Sequence, residues 1–422
     1  MMYMAKTKGT EIRLWGITVG YAYWDDRQRC ARFQYSSSFL DKGYDVAPIT
    51  LPLSDRIFTF NSLNRETYHG LPGMLADSLP DNYGNALIDV WLARNVIPQS
   101  EFTPLDRLCY VGKRGMGALE YHPLLRNGDV DELVDADTLS SLAEDVLRQR
   151  DGIRTDLSEK GLNELLSVGT SAGGARPKAT VSLNESTNEI RSGQLDLPKG
   201  YDYWIIKFDT ETENKTGYCR IEHAYYGMAK ACGIEMTECR LLDTGSKAHF
   251  MTKRFDRVDG EKIHMQTLCA LAHYDYKDPR RHSYEDMLGV MRRLRMQYGD
   301  TDQVFRRMVF NVIMRNQDDH TKNFSFLMGK DGKWRLSPAY DVTYAYDPSN
   351  YWTNEHQMSV NGRFSDICMN DLKDFAHNAG IKNPDDIIDM MLSVASEWDS
   401  YAKLSGVPKG TSEAVGRSLL EL

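Results

Sequence analysis

The hydrophobic pattern divides this chain into stretches of different period. From about Glu11 to Tyr35 apolar and polar residues alternate, with β-formers at Ile12, Leu14, Trp15, Ile17, Val19, Tyr21, Tyr23 and Phe33. A period of two turns one face of a pleated strand inward, so this stretch predicts a small antiparallel meander. The period then lengthens. Pro80-Asp81 opens a helix reaching about Asn95, with Leu87, Ile88, Trp91 and Leu92 on one face. The glycine-rich run Tyr110-Val-Gly-Lys-Arg-Gly-Met-Gly-Ala-Leu119 lacks a phosphate-cradling spacing and predicts structural turns ending a first domain. The polar, helix-forming stretch from Asp131 to Arg150 predicts a link to the next. Short apolar segments from Ala179 to Leu183, Tyr203 to Phe208 and His249 to Arg254 predict strands. Between the last two, Ile221, Ala224, Tyr225, Met228, Ala229 and Cys232 recur at helical spacing, with Gly233 placed to cap the helix. Val304, Phe305, Met308, Val309, Val312 and Ile313 form a second helical stripe, and the stretch from Asp385 to Ala402 a third.

Composition adds bounds. The 422 residues are 41% hydrophobic and 26% charged, with net charge -9, pI near 5.6 and mean hydropathy -0.51. That is the profile of a globular chain of several folding units. A protein binding nucleic acid on its own is more often basic, although Arg280-Arg281-His282, Arg292-Arg293 and Arg306-Arg307 form local basic patches. These read as solvated faces or as a contact surface for a partner. The seven cysteines form no C-x-x-C pair, which argues against a zinc site or a disulfide framework. No segment resembles a signal peptide and no apolar run approaches about 18 residues. A cytoplasmic protein without a membrane partner is the expectation.

Candidate chemistry concentrates after the second helical stripe. In Asn316-Gln-Asp-Asp-His-Thr-Lys-Asn323, Asp318 precedes Asn323 by five residues. Protein kinases use this offset between the carboxylate that orients an acceptor hydroxyl and an amide that binds metal. The offset selects Asp318 as the base and leaves Asp319 a supporting role, while His320 and Lys322 can face a transferred phosphate. Phe324-Ser-Phe-Leu327, Gly329-Lys-Asp-Gly332 and Lys333-Trp-Arg-Leu336 predict a hairpin. Its return, through Ser337-Pro-Ala-Tyr-Asp341, would bring Asp341 near Asn323 so that both could share Mg²⁺. Upstream, Gly169-Thr-Ser-Ala-Gly-Gly-Ala-Arg-Pro-Lys178 offers a glycine-rich loop whose backbone can approach phosphates, though it is no Walker A motif. Lys207 lies inside an apolar strand, where it is either an edge lysine reaching water or the strand lysine that bridges the ATP phosphates. Glu222 is a candidate partner for it.

Taken together, these segments resemble the HipA-like serine/threonine kinases, the toxin half of bacterial toxin–antitoxin pairs. Leu79-Pro-Asp81 and Tyr110-Val-Gly112 with Gly117-Ala118-Leu119 look like marks of that family's N-terminal domain. Gly173-Gly-Ala-Arg-Pro-Lys178, Lys207, Arg254-Phe-Asp-Arg257, Asp318-x-His320-x-Lys322-Asn323 and Tyr340-Asp341 look like its core motifs. The resemblance implies an α+β fold with kinase-like two-lobed architecture: an N-terminal domain over residues 1–150, a nucleotide-binding lobe over 151–258 and a helical catalytic lobe over 259–422. It implies that Gly173, Gly174, Ala175, Arg176, Pro177 and Lys178 hold the ATP phosphates. Lys253, Arg254 and Phe255 become a hinge whose backbone reads the adenine edge. Asp318 accepts the proton, His320, Thr321, Lys322 and Asn323 contact nucleotide, and Asn323 with Asp341 bind Mg²⁺. Ser171, with Thr170 as neighbouring alternative, matches a loop serine that family members phosphorylate on themselves. The implied partners are a small helix-turn-helix antitoxin (HipB-like), DNA only through that antitoxin, and a protein substrate, often an aminoacyl-tRNA synthetase in this family. The stretch from His264 to Asp275 matches no family motif. Two other classes fit part of the pattern: a lipid or small-molecule kinase, and a non-catalytic nucleotide-binding module serving transcription.

Overall fold

The computed structural model describes residues 7, 9–125, 133–150, 159–168, 176–192, 197–210, 215–245 and 247–420. The chain forms two compact units, one of residues 1–210 and 242–265, the other of residues 211–241 and 266–422.

The first unit opens with the alternating segment. Strands β1 (Gly9–Leu14), β2 (Ile17–Asp25) and β3 (Cys30–Tyr35) pair antiparallel in a meander. Trp15 and Gly16 make the first turn, both at positive φ (50° and 78°). That backbone twist matches the flanking strands of a two-residue hairpin. With β4 (Phe58–Thr59) and β5 (Leu119–His122) the sheet runs β4-β3-β2-β1-β5.

A second sheet carries β6 (Lys178–Asn184), β7 (Glu189–Ser192), β8 (Tyr201–Lys207), β9 (Cys239–Asp243) and β10 (Ala248–Lys253) in the order β7-β6-β8-β10-β9. Val181, Trp204, Ile206 and Met251 of this sheet share a core with the helices Asn82–Arg94, Ala136–Arg150 and Glu159–Val168. The stretch read as a link is therefore core. Ala136, Leu139, Ala143 and Val146 are buried, a narrow stripe of mostly small residues that the polar remainder of the helix hides.

In the second unit, the helix Tyr298–Ile313 buries Val304, Phe305, Met308, Val309, Val312 and Ile313, each worth about 1.5–3 kcal/mol when removed from water. Phe305 stacks on Phe375 of the helix Met369–Ala379, with centroids 6.2 Å apart. The helix Tyr218–Ala231 ends at Cys232, followed by Gly233 at φ 70°, and its Tyr225 hydroxyl donates to the Met314 carbonyl at 2.7 Å. The expected single helix from Asp385 to Ala402 is two, Pro384–Ser396 and Trp398–Leu404, parted at Glu397. Trp398 is buried against Tyr225 at 5.7 Å, a contact that hydrophobic periodicity does not report. No helix among the described residues is long and apolar enough to cross a membrane.

Candidate active site

The chemistry-bearing loop begins where the helix Tyr298–Ile313 stops. Met314 caps it, Arg315 takes φ 55°, and the chain leaves the helical path through Asn316. The loop then closes on itself. Asn323 Nδ2 donates to the Asp318 carbonyl at 2.8 Å, and the Asn323 N–H donates to the His320 carbonyl at 2.9 Å. The five-residue offset is thus a physical ring. It spends the amide nitrogen of Asn323 on the loop, so that Oδ1 is the atom with which Asn323 could hold a cation.

The predicted hairpin is present as Ser325–Met328 paired with Trp334–Leu336. It returns the chain so that the Tyr340 hydroxyl donates to the Lys322 carbonyl at 2.7 Å and lies 2.5 Å from Ser325 Oγ. Arg307, buried in the helix, donates from Nη2 to the Ser337 carbonyl at 2.6 Å. The Ala339 N–H donates to the Glu235 carbonyl at 2.7 Å. Held at these points, Asp341 adopts φ 52°, a left-handed conformation that non-glycine residues occupy at a cost. Asn316, Asp319, Asn323 and Asp341 line one recess of about 330 Å³, counting its open mouth.

Charge accumulates there. The Asp318 carboxyl is pushed upward from 3.8, first by the surrounding protein that displaces water, with His320 opposing and Asp341 and Asp319 adding to the rise. Its side chain is nevertheless 48% exposed, and the His320 Nε2 lies 3.8 Å from its Oδ1. An oxygen donor set of one amide and one carboxylate, beside carboxylates that repel one another, suits a hard divalent cation such as Mg²⁺.

Asp319 has a different environment. Its Oδ2 accepts from the Tyr284 hydroxyl (2.8 Å) and lies 2.9 Å from His356 Nδ1, and its Oδ1 accepts from the Gln357 N–H (2.7 Å). Asn311 Nδ2 donates to the same tyrosine hydroxyl at 3.0 Å. Asp319 is an anchor that fixes the backbone next to Asp318. His356, Tyr284 and Asn311 escaped sequence reasoning because only the fold brings them to this loop. Thr321, expected to contact nucleotide, is buried and donates from Oγ1 to the Tyr274 carbonyl at 2.6 Å. Its hydroxyl is committed to the protein.

In the first unit, Lys178, Lys207 and Phe250 form one row across β6, β8 and β10. Lys207 Nζ lies 5.6 Å from the Phe250 ring centre. Residues directly opposite in an antiparallel pair project to the same side, where like charges repel. Lys178 is relieved by Asp81, whose Oδ2 lies 3.8 Å from Nζ, both side chains being almost fully buried. Asp81 also caps the helix Asn82–Arg94, accepting from the Gly84 N–H at 2.6 Å.

Of the hinge residues, Lys253 pairs with Asp202 at 2.6 Å. The Arg254 N–H donates to the Tyr203 carbonyl at 2.9 Å, and the Arg254 guanidinium turns inward to Asp256. Arg254 thus serves the fold through side chain and amide alike. Arg176 and Pro177 lie just before β6, the Pro177 carbonyl accepting from the Phe208 N–H at 3.0 Å. Glu222 is buried in the helix Tyr218–Ala231. Thr170, Ser171, Gly173, Gly174 and Ala175 lie outside the described residues.

Comparison with known proteins agrees with this reading of the fold. Residues 170–398, more than half of the chain, match the HipA-like C-terminal domain, and residues 10–122 match the HipA N-terminal domain. The chain belongs to the HipA family. HipA of Shewanella oneidensis, solved with HipB and its operator DNA, has the same fold with a TM-score of 0.64 at 17% identity, over 97% of this chain and 94% of that one. Y4mE of Sinorhizobium fredii, which bears a kinase name, is 25% identical over 344 residues, 76% of this chain and 74% of its own length. Y4dM of the same organism, similarly named, is 25% identical over 173 residues, and the chain spans 41% of its length.

Proposed function

We propose that this chain is an ATP- and Mg²⁺-dependent serine/threonine protein kinase, the toxin of a toxin–antitoxin pair restrained by a small helix-turn-helix antitoxin. The observation that carries the reading is the gathering of Asn323 and Asp341 on one recess, beside an Asp318 whose carboxyl is raised first by burial and then by its acidic neighbours. Asn323 and Asp341 would hold Mg²⁺, which when bound neutralises charge on the phosphate oxygens. Lys207 and Lys178 are assigned the nucleotide phosphates, with the loop from Gly173 to Pro177. Asp318 orients the acceptor hydroxyl and receives its proton as the oxygen bonds to the γ-phosphorus. The bond from that phosphorus to the bridging β–γ oxygen breaks, and ADP leaves. A raised carboxyl is better suited to take a proton than an ordinary one. Lys322 and His320 face the transferred group.

Family membership supports the rest of the reading. The substrate is a cellular protein, with an aminoacyl-tRNA synthetase as first candidate, and DNA is reached only through the antitoxin. Ser171 is an autophosphorylation site whose phosphate, carrying a charge of about -1.5 to -2, would repel ATP from the glycine-rich loop and mark an inactive form.

The test uses γ-labelled ATP with the parent and Asp318→Asn proteins, followed by phosphoproteomics of cells expressing each. Label enters serine or threonine in the parent, and the rate falls by on the order of a thousandfold or more in Asp318→Asn while ATP still binds. Label entering lipid or a small molecule instead, or near-parental activity in Asp318→Asn, overturns the reading.

A further inference from the structure

Tyr276 touches two side chains of the catalytic loop at once. Its ring centre lies 5.2 Å from that of His320 at an interplanar angle of 58°, and the Lys322 Nζ sits 5.0 Å from the same centre, over the ring. Between these two residues, Thr321 Oγ1 donates to the Tyr274 carbonyl. Three consecutive loop residues, 320 to 322, therefore rest on the short strap 274–276.

The strap is itself held. It leaves the helix Leu268–Ala272 through His273, which caps that helix at φ 56°. The Leu268 N–H donates to the Phe324 carbonyl at 2.7 Å, immediately after the loop. The Tyr274 ring stacks on His282, with centroids 4.4 Å apart and planes within 15°. A strap tied to the loop at both ends of its helix, and stiffened by a ring stack, can hold a side chain in place.

We propose that Tyr276 is a positioning residue for phosphoryl transfer. Its π face holds the Lys322 ammonium and its ring sets the His320 imidazole, so that both groups stay aimed at the transferred phosphate. The inference rests on the kinase reading and deepens it. The face of an aromatic ring attracts a cation through its quadrupole, whereas an aliphatic side chain of similar bulk does not. The hydroxyl takes no part in either contact, so phenylalanine can replace tyrosine and leucine cannot. A merely space-filling Tyr276 would accept leucine.

The experiment compares the full-length parent, Tyr276→Phe and Tyr276→Leu, with Asp318→Asn as blank. Three quantities are read: kcat and KM for Mg-ATP from transfer of γ-label to the protein itself, the thermal midpoint, and the acetylation rate of Lys322 by acetic anhydride, followed by peptide mass spectrometry. Tyr276→Phe stays within about twofold of the parent throughout. Tyr276→Leu loses on the order of tenfold to a hundredfold in kcat, because misplacement of a reacting group costs rate steeply. Its KM and thermal midpoint stay near parental, and its Lys322 is acetylated several times faster. Parental kcat and parental Lys322 labelling in Tyr276→Leu overturn the proposal, as does a Tyr276→Phe protein that falls as far as Tyr276→Leu. Should the parent itself transfer no label, the kinase reading fails, and Lys322 labelling alone then decides: faster in Tyr276→Leu only, and the contact stands; unchanged, and it does not.

Discussion

Two carboxylates, one in each compact unit, sit among charges and respond in opposite directions. Asp256 is fully buried between Arg254 and Arg257, whose side chains are 1% and 4% exposed. It accepts from Arg254 Nε at 2.9 Å, from Arg257 Nη1 at 2.7 Å and from the Gly117 N–H at 2.7 Å. Burial by itself would push its carboxyl up, yet the two guanidiniums hold it well below the usual carboxylate range. Arg257 in turn is lowered to about 10, by burial first and by Arg254 next. Both arginines also donate to the Gly115 carbonyl, which fastens the glycine turn after Tyr110 to the segment following β10. Asp318 has the reverse balance: it is half open to solvent, and yet its carboxyl is raised. The first unit cancels its buried charge and gains a rigid joint. The second leaves like charges together, the kind of imbalance that marks a candidate functional site.

The largest test of this contrast removes the cancellation. Asp256→Ala strands two arginines in the interior, facing each other without a counter-ion. Breaking a buried pair in this way costs about 3–5 kcal/mol, so urea unfolding of the first unit should shift by that amount. A loss below about 1 kcal/mol, the range of an exposed pair, would mean that the cluster is solvated and the contrast is false.

A smaller test sharpens the contrast inside the first unit. Asp81→Asn keeps a side-chain oxygen for the helix cap but removes the negative charge beside Lys178. Lys178, opposite Lys207 on one side of the sheet, would then lose the carboxylate that lies 3.8 Å from its ammonium. Mg-ATP should bind on the order of threefold more tightly by titration calorimetry, and less so at high salt. Weaker binding would show that Asp81 orients Lys178 for the nucleotide instead of competing with it.

These partnerships differ in how far sequence could show them. The loop from Asp318 to Asn323 and the hairpin after it are local, so spacing and alternation were enough to place Asn323 and Asp341 together. The helical stripe ending at Ile313 likewise pointed straight into the loop. Gly117 and Asp256 are 139 residues apart, and His356 is 37 from Asp319. Periodicity reports which face of an element is buried and is silent about what it meets. For the same reason the polar helix Ala136–Arg150 read as a link, and Tyr276, just past the stretch that matched no motif, gave no signal. The resemblance spoke for the Arg254 backbone and not for its side chain, which only the fold brings to Asp256 and Gly115.

The smallest expected effect bears most directly on the meaning of the raised Asp318 carboxyl. Between its ordinary value near 3.8 and its raised folded value, the folded protein holds a proton that the unfolded chain has released. Stability therefore falls as pH rises through that window, and above it the full cost of the charged carboxylate is present. Asp318→Asn removes this titration. At pH 7 it should melt about 1–2 °C above the parent, a modest gain because the side chain is half exposed and screened. The gap should narrow as pH falls through the window and vanish below the ordinary carboxylate range. Scanning calorimetry of the two proteins across this pH range decides it. A gap that persists unchanged in acid would trace the gain to amide hydrogen bonding, and the electrostatic tension assigned to the loop would have to be withdrawn.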